Sequence, residues 1–184
     1  MKTCRKILLI SGLLFFVISC HKVTYKACVK DLVGYKMDMP ESLYEPFPDT
    51  LNPYDLFNHG TMILTWVDSS MCKPCFFQSL YRWEPLIEIS KSDTLPFDCV
   101  FIISPRRNDD INLLSEMIEL LPEGAKVLID KYNDMSKKNE IINKYGIYIN
   151  TYLVSSSDTI ELIGNPVKND AIWDLYIQQI HKMQ

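Results

Sequence analysis

What this chain of 184 residues lacks narrows its chemistry first. Cys72 and Cys75 form a CxxC pair, but no second CxxC and no neighbouring CxxH occurs anywhere. The four ligands of an ordinary structural zinc site are therefore not assembled, and no metal site is expected. Positive charge is short as well: 19 lysines and arginines stand against 23 acidic residues, for a formal net charge of −4. Loss of an N-terminal leader carrying Lys2, Arg5 and Lys6 would make the balance more negative still. Such a surface disfavours nucleic acid as a partner. The apolar run at residues 7–18 is too short to cross a bilayer comfortably. No internal repeat, low-complexity tract or long charge run interrupts the rest, and roughly 160 residues suffice for one packed core but not for two ordinary domains.

What is present is organised around residues 61–85, TMILTWVDSSMCKPCFFQSLYRWEP. An apolar run rich in β-formers, Met62 to Val67, predicts a buried strand. A short polar turn follows, then Cys72-Lys73-Pro74-Cys75 at the head of an apolar-rich helical stretch. The first turn of a helix leaves N–H groups unpaired and carries partial positive charge, and both favour a thiolate over a thiol. Cys72 is then the attacking sulfur and Cys75 its close neighbour. Pro74 suits an early helix position, where its missing N–H costs little, and Lys73 adds nearby positive charge. A permanently closed structural disulfide is the plainer reading of the pair. A peroxide-reducing Cys72 is a third, with Ser69 three residues ahead but Thr65 where peroxiredoxin-like enzymes have proline.

Residues 1–20 are expected to be a processing segment and to stay outside the fold. Lys2, Arg5 and Lys6 precede the apolar run, which ends Phe16-Val17-Ile18-Ser19-Cys20. A small residue directly before cysteine resembles a bacterial lipoprotein signal, which implies cleavage after residue 19 and lipidation of Cys20. An uncleaved short anchor and an ordinary signal peptide are the alternatives, and all three imply export. No acidic cluster follows Cys20, so a periplasm-facing position is the expectation. In an exported protein Cys28, Cys72, Cys75 and Cys99 sit where disulfides are permitted. Cys28 and Cys99 could pair, although Cys99 lies in an apolar strand-like run that suits a buried, inert thiol.

Along the rest of the chain, residues 29–39 predict a strand or hairpin with its turn at Gly34, and Pro40, Pro46, Pro48 and Pro53 punctuate a loop-rich approach. His59 falls in the turn before the central strand, either near the dithiol or simply exposed. Behind the CxxC pair a helix is expected over 76–90, kinked or restarted at Pro85. A second buried strand follows at 97–104, and Arg106 and Arg107 stand beyond its end, in a solvated loop or against a substrate. A helix over 109–121, a strand over 126–130, a helix over 134–144, strands over 147–154 and 159–163, and a closing helix over 169–181 complete the chain.

This βα, βα, βα, ββα order, with CKPC after the first strand, resembles the thioredoxin-like superfamily, in particular its membrane-anchored periplasmic thiol-disulfide oxidoreductases. The resemblance implies an α/β thioredoxin-like fold, a central mixed β-sheet flanked by helices with an N-terminal strand or hairpin extension. It divides the chain into a signal peptide at 1–19, a lipidated cysteine and tether at 20–28, and the domain at 29–184. It implies thiol-disulfide exchange by Cys72 as nucleophile and Cys75 as resolving cysteine, without a cofactor, on disulfide-containing exported proteins and with a redox partner. Lys73, Pro74, Asn150 and Thr151 would line the substrate site. Asn150 replaces the cis-proline usual in the family, Met71 stands where tryptophan is frequent, and Asp68 where an aromatic is. The competing expectation is a non-catalytic lipoprotein of the same fold that binds a partner and keeps CKPC as a staple.

Overall fold

The computed structural model describes residues 25–44, 60–106, 114 and 121–184. Cys20, the prolines at 46, 48 and 53, His59, Arg107 and most of the helix expected over 109–121 lie outside the described residues.

The strand expected before the CxxC pair forms as β1 (Met62–Val67), and all six residues are buried. A strand covered on both faces reads as a continuous apolar run, which is why it was visible in the sequence. It lies at the centre of a five-stranded sheet with β2 (Asp98–Ile103), β3 (Lys126–Ile129), β4 (Thr151–Val154) and β5 (Ile160–Ile163), in the order β3-β2-β1-β4-β5. β1, β2 and β3 run parallel, while β4 is antiparallel to β1 and β5 antiparallel to β4.

Alternation along the strands divides the core into two layers. Met62, Leu64 and Trp66 face one layer with Val100, Ile102, Leu128 and Tyr152. Ile63 and Val67 face the other with Cys99, Phe101, Ile103 and Leu153. The first layer is closed by α1 (Tyr25–Leu32) and by α4 (Asp134–Lys138) with α5 (Glu140–Tyr145). The second is closed by α2 (Lys73–Gln78), a 3-10 turn at Leu80–Trp83, α3 (Glu84–Ser90) and the closing helix α6 (Asp170–Met183). The result is the expected mixed sheet flanked by helices.

Three elements depart from expectation. Residues 29–39 do not make a hairpin: α1 starts at Tyr25 and buries Cys28 and Leu32, one helical turn apart. Strand-like pairing begins at Gly34 (φ +85°), whose N–H donates to Ile160 O at 2.8 Å; beyond it Lys36 bridges Thr159 and Met37 N–H donates to Asp158 O at 2.8 Å. The expected helix over 134–144 breaks at Asn139, which is fully buried. Its side chain accepts from Asp38 N–H at 2.8 Å and donates to Asp38 O at 2.8 Å and Met135 O at 3.1 Å. The asparagine serves the N-terminal segment instead of an unbroken helix. The strand expected from residue 147 begins only at Thr151, because Tyr148 N–H and Ile149 N–H both turn back to Tyr145 O. Pro85 falls in the first turn of α3 and starts a helix.

Candidate functional site

β1 ends at Val67, and residues 68–71 turn the chain into α2. The turn is fastened from within. Asp68 accepts through its carboxylate from Ser70 N–H and through its carbonyl from Met71 N–H at 3.1 Å. The Lys73 ammonium donates to Asp68 O at 3.0 Å and Ser69 O at 2.9 Å. Lys73 therefore braces the loop that presents the cysteines.

Cys72 is the N-cap of α2, with extended backbone (φ −72°, ψ 100°), and its Sγ accepts from Cys75 N–H at 3.4 Å. Cys72 and Cys75 are exposed and joined by a disulfide, with Cα atoms 5.4 Å apart. Pro74, also exposed, lies in the first turn, as its fixed φ and missing N–H suit. Behind them Phe77 is buried, and Phe76 packs on Phe101 of β2 at 5.7 Å between ring centroids.

Asn150 faces this turn from the start of β4. Its carbonyl accepts from Trp66 N–H at 2.8 Å, and its Nδ2 donates to Trp66 O at 3.2 Å. The same Nδ2 lies 3.8 Å from Sδ of Met71, the residue before Cys72. All described peptide bonds are trans, including those around Asn150. Thr151 is fully buried, and its hydroxyl meets that of its cross-strand partner Thr65 at 3.1 Å. Its side chain holds β4 to β1 and offers no surface to a substrate. Cys72, Lys73, Pro74, Cys75 and Asn150 therefore gather at one end of β1, with Thr151 beneath them. Exposed Arg106 follows β2.

A buried polar chain supports this edge and was not foreseen. Trp66 Nε1–H donates to Ser104 Oγ at 3.0 Å, and Ser104 Oγ–H donates to Asp130 Oδ2 at 3.0 Å. Asp130 also accepts from Asp134 N–H at 2.7 Å and Met135 N–H at 3.1 Å, capping α4. The available signal was that a serine and an aspartate each end an apolar run just past β2 and β3. Tyr152 adds a second brace, its hydroxyl donating to Ile149 O at 2.6 Å.

The other two described cysteines do not pair. Cys28 is buried in the layer under α1 and Cys99 in the opposite layer, so the sheet separates them. Burial pushes both thiols up, Cys99 beyond the ordinary thiol range. No group of three or more His, Cys, Asp or Glu among the described residues is arranged to hold a metal ion.

No family model matches the chain, and no curated protein matches it. Solved structures do. A thioredoxin-like protein from Bacteroides caccae superposes with a TM-score of 0.52 at 16% identity over 82% of this chain, which spans about half (51%) of that one. Copper-bound ScoI from Arabidopsis thaliana gives 0.55 at 14% identity, covering 82% of this chain and 99% of that one. A Chlorobium tepidum structure named for the thiol:disulfide interchange protein DsbE gives 0.51 at 15% identity, covering 81% and 99%. Identities this low speak to fold alone. Strand order and flanking helices agree with them in giving the chain a thioredoxin-like fold, with the Cys72–Cys75 disulfide at the head of α2.

Proposed function

We propose that the protein is an exported, lipid-anchored thiol-disulfide exchange protein acting on protein disulfides through Cys72 and Cys75. The observation that carries this reading is the exposed Cys72–Cys75 disulfide at the start of α2. In the reduced pair the Cys75 N–H, 3.4 Å from Cys72 Sγ, would donate to a thiolate there and favour the charged form. The Cys72 thiolate attacks one sulfur of a substrate disulfide, forms a mixed disulfide and expels the other substrate sulfur as thiolate. The Cys75 thiolate then attacks Cys72 Sγ, restores the internal disulfide and releases the second substrate thiolate. Two electrons pass to the substrate, and a dithiol partner must return them. Run in reverse, the oxidised pair accepts two electrons from a substrate dithiol.

Lys73 and Pro74 shape the turn, and the Asn150 amide provides polar contact beside it where a proline would offer none. Lipidation of Cys20 would tether the domain to a membrane of the bacterial cell envelope, facing the periplasm. In this reading the neighbouring structure named for a thiol:disulfide interchange protein supports a redox partner. Replacing Cys75 by Ser removes the resolving sulfur. The expected outcome is accumulation of mixed disulfides between Cys72 and exported proteins, seen as higher-mass bands that collapse on reduction. Absence of any trapped species would leave CKPC as a structural staple.

A further inference from the structure

An apolar cleft of about 90 Å³ lies at the other edge of β4 from the dithiol strand β1, between α1, the edge strand β5 and α6. Its rim is exposed: Tyr25 is 55% accessible, Val29 36%, Val33 40% and Leu175 52%. Tyr25, Val29 and Val33 recur every four residues, so they form one stripe beside the buried stripe of Cys28 and Leu32. A monomer rarely leaves large apolar side chains contiguous without a partner.

Charge and chain length identify the occupant. Lys26 and Lys30 are exposed, one turn apart on α1 and next to the apolar stripe. Asp31, the acidic residue of α1, turns away to Tyr145 Oη–H at 2.5 Å and Lys144 at 3.4 Å. On α6 the positions sharing a face with Leu175, namely Ala171, Gln178, Gln179 and Lys182, carry no carboxylate. Apolar side chains flanked by lysines on a surface helix match the interface of an anionic bilayer. Cys20 stands five residues before Tyr25, so at most about 18 Å of extended chain separates a lipidated Cys20 from the patch.

We infer that the α1–β5–α6 face seats on the membrane surface, with Tyr25, Val29, Val33 and Leu175 at headgroup depth and Lys26 and Lys30 against anionic lipid. The inference rests on the lipid anchor at Cys20. It holds the β5 edge of the sheet to the bilayer, with the dithiol two strands away, roughly 10 Å along the sheet. The membrane is then part of the approach that a substrate takes.

The test uses the full chain, acylated in a bacterial host and reconstituted into vesicles of phosphatidylethanolamine and phosphatidylglycerol containing a lipid brominated near the headgroup. Flotation reads the anchor, and quenching of tryptophan emission in the floated fraction reads the patch. Val29→Trp is expected to show at least about twofold more quenching than the unsubstituted chain, as contact with bromine requires. Tyr148→Trp, beside Asn150, is expected to match the unsubstituted chain. Leu175→Trp repeats the test on a second element, should Val29→Trp disturb α1. A chain that floats while both Val29→Trp and Leu175→Trp stay unquenched, or are shielded by a second copy, refutes the inference and leaves the anchor standing. A chain that fails to float refutes both.

Discussion

Asp130 has no exposed surface, yet three donors converge on its carboxylate: Ser104 Oγ–H, Asp134 N–H and Met135 N–H. A buried polar group that loses its partner costs the full desolvation of the groups left behind, more when one was charged. Asp130→Ala is therefore expected to destabilise the fold by about 3 kcal/mol, measured by chemical denaturation of the oxidised chain. A loss under about 1 kcal/mol would show that water replaces the carboxylate. The same scale separates the described cysteines. Cys28 and Cys99 are buried with their thiols held in the protonated form, whereas Cys72 and Cys75 are exposed. After reduction under native conditions, iodoacetamide is expected to label Cys72 and Cys75 and to leave Cys28 and Cys99 unmodified, read by peptide mass. The CxxC pair was legible because spacing alone marks it. The Trp66–Ser104–Asp130 chain was not, because its members are far apart in sequence and meet only when β1, β2 and β3 pair.

At the scale of elements, continuous apolar runs announced β1 and β2, because a strand buried on both faces shows no alternation to misread. The misread elements are those decided by a distant partner. Asn139 ends α4 because its amide is committed to Asp38, about a hundred residues earlier. α1 forms where a hairpin was expected because Cys28 and Leu32 find the core under β4 and β5. The joints between these elements carry acidic groups that set a pH dependence. The Asp134 carboxyl is held below its ordinary range by hydrogen bonds from Lys137 and Ser42, and that of Asp31 by Tyr145 and Lys144. A carboxyl depressed in the folded state binds its proton more readily unfolded, so its stabilising contribution is present above about pH 4 and fades as pH falls through the folded value. The chain is expected to lose more stability between neutral pH and pH 3 than the Asp31→Asn, Asp134→Asn double variant. Denaturation midpoints at the two pH values check this, and equal losses would contradict it.

For the whole molecule, one central strand organises both layers and the site: β1 pairs on either side, lines both cores and delivers Cys72 at its end. The thioredoxin-like order was legible because each strand–helix unit occupies its own stretch of sequence. Asn150 stood out in the sequence too, but its contacts did not. Asn150 ties Trp66 to Met71 and so couples the β4 corner to the turn before Cys72. Whether this arrangement exchanges disulfides is decided most directly by the reduction potential of the Cys72–Cys75 pair. The full chain would be equilibrated in graded glutathione buffers, alkylated and weighed intact. The two thiols are predicted to appear and disappear together, with a midpoint between about −300 and −120 mV, within reach of exported redox partners. A pair that stays oxidised in the most reducing buffer would contradict the exchange reading and make CKPC a fixed staple.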